Sequence, residues 1–305
     1  MSSEMWYSDS TQLRQLRNAD PLAGKRPQLD PSFYNLEEDE ADFFKTQTGI
    51  EDDEELKEHI LAVQAKAYKI YGYPCIRRFA FLSLKISRLP AYPAVLQLGR
   101  ERKGAILLDL GCCFGNDIRK AVVDGFPVEG AIASDLRQGF WDAGHELFKS
   151  TPASCPIKFI AGDVFDPAHI YRHSPFYEAP GLSCPSDLQQ LTSLTPLLGH
   201  ISAVHVSAFF HLFDEEKQLE IAKIVAGLLS PEPGSIIFGA HGGLPEKGLR
   251  EPSIPGSTFR MFCHSPQSWC ELWEGQVFRK GTVKAEARVV LIENLYMLEW
   301  SVTKL

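Results

Sequence analysis

The sequence predicts an α/β protein: a mostly parallel sheet that ends in an antiparallel strand pair, with a helical segment in front. Three observations predict it. Beyond Gly104 short apolar runs alternate with helix-like stretches, the pattern of repeated βα units. The last two runs, 285–292 and 295–302, are separated only by Glu293 and Asn294. A parallel pair needs a crossover of roughly a dozen residues, so these two pair antiparallel. Ahead of Gly104 the apolar residues recur instead at helical spacing.

Residues 1–30 hold Pro21, Pro27 and few large apolar side chains and read as a polar lead-in. Residues 31–103 form a helical appendage. In it, Leu56, Ile60, Val63, Ala67 and Ile70 recur every three or four residues after Asp52, marking an amphipathic helix that starts in acids and ends near Gly72. Tyr73 and Pro74 break it. A second apolar stretch, Ile76 to Leu84 with Arg77 and Arg78 inside it, leads through Pro90 and Pro93 into a short helical run ending at Arg100. Residues 104–305 carry the strand runs 105–110, 128–133, 157–161, 201–206 and 235–238, with helices expected over 116–123, 139–148 and 214–229. The stretch 166–199, rich in Pro, Ser and Leu, is long for a connection, which makes it either an insertion with functional weight or a partly mobile one.

Composition narrows the function classes. At 305 residues and 44% hydrophobic the chain fills a core, and 39 acids against 31 bases give a net charge of -8. Nucleic-acid binding by phosphate neutralisation needs a basic surface, and no basic cluster exceeds short groups such as 100–103. The excess is local: residues 37–58 hold eleven acids and two bases, a net -9, which leaves +1 for the rest. Acids near helix N-termini on a solvated face account for such a segment. No apolar run reaches the roughly 20 residues of a membrane span. The polar start, 1–14, lacks the apolar stretch of a signal peptide, so a cytoplasmic address is expected. Seven cysteines without Cys-x-x-Cys spacing argue against zinc and against a disulfide framework, and no metal is expected.

Chemistry concentrates at the strand ends. Residues 107–115, LLDLGCCFG, are an apolar strand running into a glycine turn and then a helix, the arrangement in which a ligand lies against main-chain N–H groups. Asp109 stands just before the turn, in reach of a ligand ammonium. The dinucleotide fingerprint G-x-G-x-x-G fails, because Cys113 and Asn116 occupy its second and third glycine positions. The turn resembles motif I of class I S-adenosylmethionine-dependent methyltransferases, an acid followed by G-x-G-x-G, with Gly111 and Gly115 in place and Cys113 at the middle glycine. Asp135, which closes the second strand 26 residues after Asp109 and precedes Leu136, matches the family's ribose-binding carboxylate. Asp163, followed by Val164, closes the third strand where the family holds the adenine. Each acid also suits a local role: Asp109 in a turn, Asp135 as N-cap of the 139–148 helix, Asp163 in an Asx turn.

The resemblance implies a Rossmann-like sheet of seven strands, mostly parallel with an antiparallel C-terminal hairpin, and S-adenosyl-L-methionine as cofactor. It implies a helical lid over 31–103 and ligands at the carboxyl ends of the strands. Residues 73–79 (YPCIRRF), 207–213 (SAFFHLF) and 265–269 (SPQSW) are similar to fungal secondary-metabolite methyltransferases, including those of meroterpenoid pathways that esterify a terpenoid carboxyl group. Ser265 and Pro266 also make a good helix start. The expected activity is methyl transfer to an oxygen, a carboxylate above others, of a small and largely apolar metabolite. A non-methyl-transfer rearrangement on the same fold and a non-catalytic, partner-binding protein are the alternatives.

A carboxylate acceptor needs no base, whereas an aliphatic alcohol does, and histidine suits that task near neutral pH. Candidates are His205 in the fourth strand, His211 beyond it, and His241 in the 239–243 turn after the fifth. Tyr73, Arg77, Phe210 and Arg260 are the acceptor-side candidates, the arginines as bidentate partners of a carboxylate, or for Arg77 of the acidic helix, and the aromatics as an apolar lid or as core packing. The partner is a small-molecule substrate, with a homodimer also open.

Overall fold

A computed structural model describes residues 27–250, 260–292 and 295–305. Most of the polar lead-in, and Glu293 and Asn294 between the last two strands, lie outside the described residues. The chain divides into two compact units, the first comprising residues up to Ser83 together with Glu146–Lys149, the second Leu84–His145 and Ser150–Leu305. The second unit therefore begins earlier than residue 104.

In the first unit the acidic segment becomes two helices. Helix α1 (Glu38–Thr48) starts in a capping box between Glu37 and Glu40, and α2 (Asp53–Ile70) is capped by the Asp52 side chain, which accepts the Glu55 N–H at 2.9 Å. Glu38, Asp39, Glu40, Asp53, Glu54 and Glu55 fill the two first turns, where the helix dipole favours negative charge. The segment is not purely a solvated tail: its helices bury Phe43, Phe44, Leu56, Ile60 and Val63, and Phe44 stacks on Phe148. The short α3 (Pro74–Arg77) is tied to α2 by Gln64, whose amide donates to the Ile76 and Arg77 carbonyls.

The second unit opens with α4 (Lys85–Arg88) and α5 (Tyr92–Glu101) and then alternates strand and helix: β1 (Leu107–Leu110), α6 (Asn116–Val123), β2 (Ala131–Asp135), α7 (Gln138–Leu147, whose last two residues belong to the first unit), β3 (Lys158–Ala161), β4 (Ala203–His205), α8 (Glu215–Leu228) and β5 (Ile236–Gly242). After β6 (Gly248–Arg250), β7 (Met261–Cys263) and α9 (Pro266–Glu271), the chain ends in β8 (Val283–Ile292) and β9 (Leu295–Lys304). The seven-stranded sheet has the order β3-β2-β1-β4-β5-β9-β8, parallel through β5, with β9 antiparallel to both neighbours. A separate hairpin of β6 and β7, which the sequence pattern did not signal, lies outside it.

Burial on both faces explains why the parallel strands read as continuous apolar runs. Leu107, Ala131, Ala133, Ala203 and Phe238 pack on one face with Val95, Ile118 and Trp141. On the other face Leu108, Ile132, Val204 and Ile237 pack with Ile221, Val225, Trp269 and Trp273. The 166–199 stretch is packed rather than loose: Ile170, Leu194 and Leu197 join the second of these clusters, and Leu194 N–H donates to the His169 carbonyl at 2.9 Å.

Two expectations are corrected. Residues 128–130 form a 3-10 turn, so β2 starts at Ala131 and reaches Asp135. Residues 239–242 of the expected 239–243 turn are strand, because β5 continues through Gly242, paired with β9 from Thr303 to Met297. Gly239 makes this possible, since a Cβ there would sit 2.0 Å from the Val206 carbonyl oxygen.

Candidate active site

The strand order reverses between β1 and β4, and in open α/β sheets ligands bind outside the carboxyl ends of the strands at such a switch point. The turn after β1 faces that crevice. Gly111, at φ 78°, and Gly115, at φ 73°, both occupy the left-handed region, and a Cβ on either would meet a ring, Phe209 at 2.7 Å or Trp141 at 2.4 Å. Cys113 stands where the family motif has glycine and keeps that conformation, with φ 52°. Gly115 caps α6, so the helix opens on the turn.

Asp135 is tied to the turn. Its Oδ2 accepts the Cys113 N–H at 3.0 Å and its Oδ1 the Arg137 N–H at 2.9 Å, which fixes the carboxylate and leaves a lone pair on each oxygen for a diol. Burial raises its pKa, against those two hydrogen bonds. It is not the N-cap of α7, which begins three residues later. Leu136 beside it is exposed. Asp163 forms the Asx turn, Oδ1 accepting the Phe165 N–H at 2.9 Å, and Val164 is buried.

Asp109 is a buried strand residue, 2% exposed, directly across from His205 in the β1–β4 register. Its Oδ1 lies 2.8 Å from His205 Nδ1, while Oδ2 is buried and has no hydrogen-bond partner among the described residues. A buried orphan carboxylate oxygen beside a glycine cradle fits the ammonium of an amino-acid ligand. The residues present therefore fit S-adenosylmethionine: Asp135 for the ribose, Asp163 and Val164 at the adenine end, and Gly111, Gly115 and Asp109 around the amino-acid end.

The three histidine candidates separate on hydrogen-bond chemistry. Indole and peptide N–H groups only donate, so a ring nitrogen facing one must be the acceptor. His211 Nδ1 accepts the Gly242 N–H at 3.0 Å, and His241 Nδ1 accepts the Trp300 Nε1–H at 3.0 Å. Each ring therefore carries its proton on Nε2. Burial, helped by Arg250, lowers the His211 pKa to about 4, and burial holds His241 well below its ordinary value, with His211 and His264 adding to the effect. Neither has a lone pair free to take a proton. His205 is 1% exposed, with Asp109 on Nδ1 and Ser207 Oγ 2.7 Å from Nε2.

These assignments carry a pH dependence. A ring that protonates at about 4 in the folded chain and near 6.5 when unfolded takes up protons first in the unfolded state. His211 thus stabilises the fold above roughly pH 6.5, and this contribution is lost as the pH falls towards 4. His211→Asn keeps an acceptor for the Gly242 N–H and removes the titration. The drop in Tm between pH 7 and pH 5 is expected to be smaller in the variant than in the wild type, and an equal drop rejects the assignment.

The acceptor-side candidates scatter. Phe210 is a core residue, fully buried with its ring 4.9 Å from that of Trp269 and 5.7 Å from that of Trp300, and is not placed as a lid. Tyr73 and Arg77 belong to the first unit, where Tyr73 lies against Tyr71 and Arg77 Nε donates to the Gln28 carbonyl at 2.7 Å, its guanidinium over the Phe33 ring. Arg260 is exposed at the start of β7. Ser207, in the 207–213 motif, is a functional candidate that the motif alone does not single out. An i, i+2 spacing from a strand histidine, which puts both side chains on one face, was the available signal.

The sheet order, the glycine turn and the strand-end carboxylates define a class I S-adenosylmethionine-dependent methyltransferase. Residues 29–82 match the model of the meroterpenoid methyltransferase N-terminal domain. O-methyltransferase phiE of Fungal sp. (strain ATCC 74256) is 34% identical over 75% of this chain and 68% of its own length. Asnovolin E/Chermesin D methyltransferase nvfJ of Aspergillus novofumigatus (strain IBT 16806) is 36% identical over 72% and 69%. Methyltransferase ausD of Penicillium brasilianum is 32% identical over 71% and 68%. The chain belongs to this family of fungal methyltransferases. Among the described residues no helix is long and apolar enough to cross a membrane.

Proposed function

We propose that the enzyme transfers a methyl group to the carboxylate of a small, largely apolar terpenoid or meroterpenoid acid, giving a methyl ester. The observation that carries this reading is the state of the histidines. His211 and His241 each present a donor and no free lone pair, so an aliphatic alcohol finds no base on either ring. A carboxylate is ionised already. The meroterpenoid relatives support the scaffold class.

S-adenosylmethionine supplies an electrophilic methyl group when bound. The chain's own part is to hold that ligand at its ribose through Asp135, to keep its amino-acid end against Gly111 and Asp109, and to align the acceptor oxygen while excluding water. Farnesoic acid and farnesol are a matched acceptor pair for the test. Turnover of the acid with negligible turnover of the alcohol is expected, and the reverse preference rejects the reading.

A further inference from the structure

If the adenine lies over the end of β3 and the ribose over β2, the reacting methyl group lies over β1, and the next strand across the switch point, β4, is on the acceptor side. A continuous buried hydrogen-bond chain runs to that strand end. Asp109 Oδ1 is 2.8 Å from His205 Nδ1, His205 Nε2 is 2.7 Å from Ser207 Oγ, and the Ala240 N–H donates to the same Oγ at 3.1 Å. Asp109 and His205 are buried, and Ser207 is half-buried, so the hydroxyl is the member with access to a ligand.

We propose that Ser207 is a catalytic residue that donates a hydrogen bond to one oxygen of the acceptor carboxylate and leaves the other aligned for methyl transfer, with His205 and Asp109 as positioning residues that fix the direction of that bond. This rests on the carboxylate reading above. The direction follows from counting lone pairs. With His205 as imidazolium, Nδ1–H donates to Asp109 and Nε2–H donates to Ser207 Oγ. The Ala240 N–H takes the second lone pair, and the serine proton must point outward. With His205 neutral, the serine proton turns in to Nε2 and an oxygen lone pair faces the carboxylate, which repels it. One proton inside the sheet thus selects donor or acceptor at the site.

The groups that face His205 favour the imidazolium. Burial opposes charge on the ring, but the Asp109 charge and hydrogen bond on β1, together with the Asp117 charge on α6, outweigh it, and the pKa is raised despite Lys85 on α4. Phe238 of β5 packs against the ring at 5.2 Å without adding charge. Asp117 is itself held by the Ile86 N–H at 2.9 Å.

This network predicts a pH profile opposite to that of a general base. Transfer to the acid falls as the pH rises through the titration of His205, whereas base catalysis rises. The test uses full-length enzyme labelled with 15N-histidine and saturated with S-adenosylhomocysteine, the His205 signals being assigned by comparison with His205→Gln. Both ring nitrogens are expected to be protonated at pH 7, and the ring is expected to become neutral in Asp109→Asn. With farnesoic acid as acceptor, Ser207→Ala is expected to lose roughly 10- to 100-fold in kcat/KM, Ser207→Thr to recover most of it, and S-adenosylhomocysteine affinity to stay unchanged in both. A neutral His205 ring at pH 7, a rate that climbs with pH, or full activity in Ser207→Ala overturns the proposal while leaving the carboxylate reading intact. Methylation of farnesol but not of the acid removes the carboxylate reading and the proposal together.

Discussion

Asp135→Ala is expected to weaken S-adenosylhomocysteine binding by roughly 10- to 100-fold, the effect of removing charge-assisted hydrogen bonds worth about 1.5–3 kcal/mol. The carboxylate closes β2 and has both oxygens fixed by the Cys113 and Arg137 N–H groups, a preorganised arrangement that suits a ribose diol. Asp135→Asn retains one acceptor oxygen and should lose less. Calorimetric titration, with a parallel melting curve to show that the variant is folded, reads the effect. Unchanged affinity in a folded Asp135→Ala protein removes the residue from the site.

Phe210→Ala is expected to destabilise the fold by about 3–5 kcal/mol, as for other large-to-small substitutions of buried aromatics. Phe210 is fully buried against Trp269, Trp273, Trp300 and His241, so its removal leaves a cavity inside an aromatic cluster. The midpoint of urea unfolding should fall with no change in slope. An unchanged midpoint together with a raised KM for the acceptor returns Phe210 to the acceptor side.

The sheet, the glycine turn and the strand-end carboxylates are legible in the sequence because local pattern and chemistry coincide there. A strand buried on both faces reads as an apolar run, and a glycine turn with a carboxylate after it stands out wherever the run stops. Strand ends were misplaced where tertiary pairing decides them. β5 extends over Gly239 to Gly242 because β9 pairs with it throughout, and no local signal separates that stretch from a turn. The acceptor side was hard to read for a different reason. Phe209 and Phe210 are adjacent and chemically alike, yet one lies against the Gly111 turn and the other is core. The three histidines differ only in the groups that face them, and those groups, the Gly242 N–H, the Trp300 indole and the Ser207 hydroxyl, are set by packing between distant strands. The acidic segment shows the same limit: its charge suggested a solvated face, while Phe43, Phe44 and Leu56 within it form a core.

The reaction proposed for the enzyme is ester formation on a carboxylate. Its most direct measurement is the fate of label from methyl-labelled S-adenosylmethionine incubated with the enzyme and farnesoic acid. A labelled product that releases labelled methanol on mild alkaline hydrolysis is expected. Label held in a base-stable ether or on carbon contradicts it.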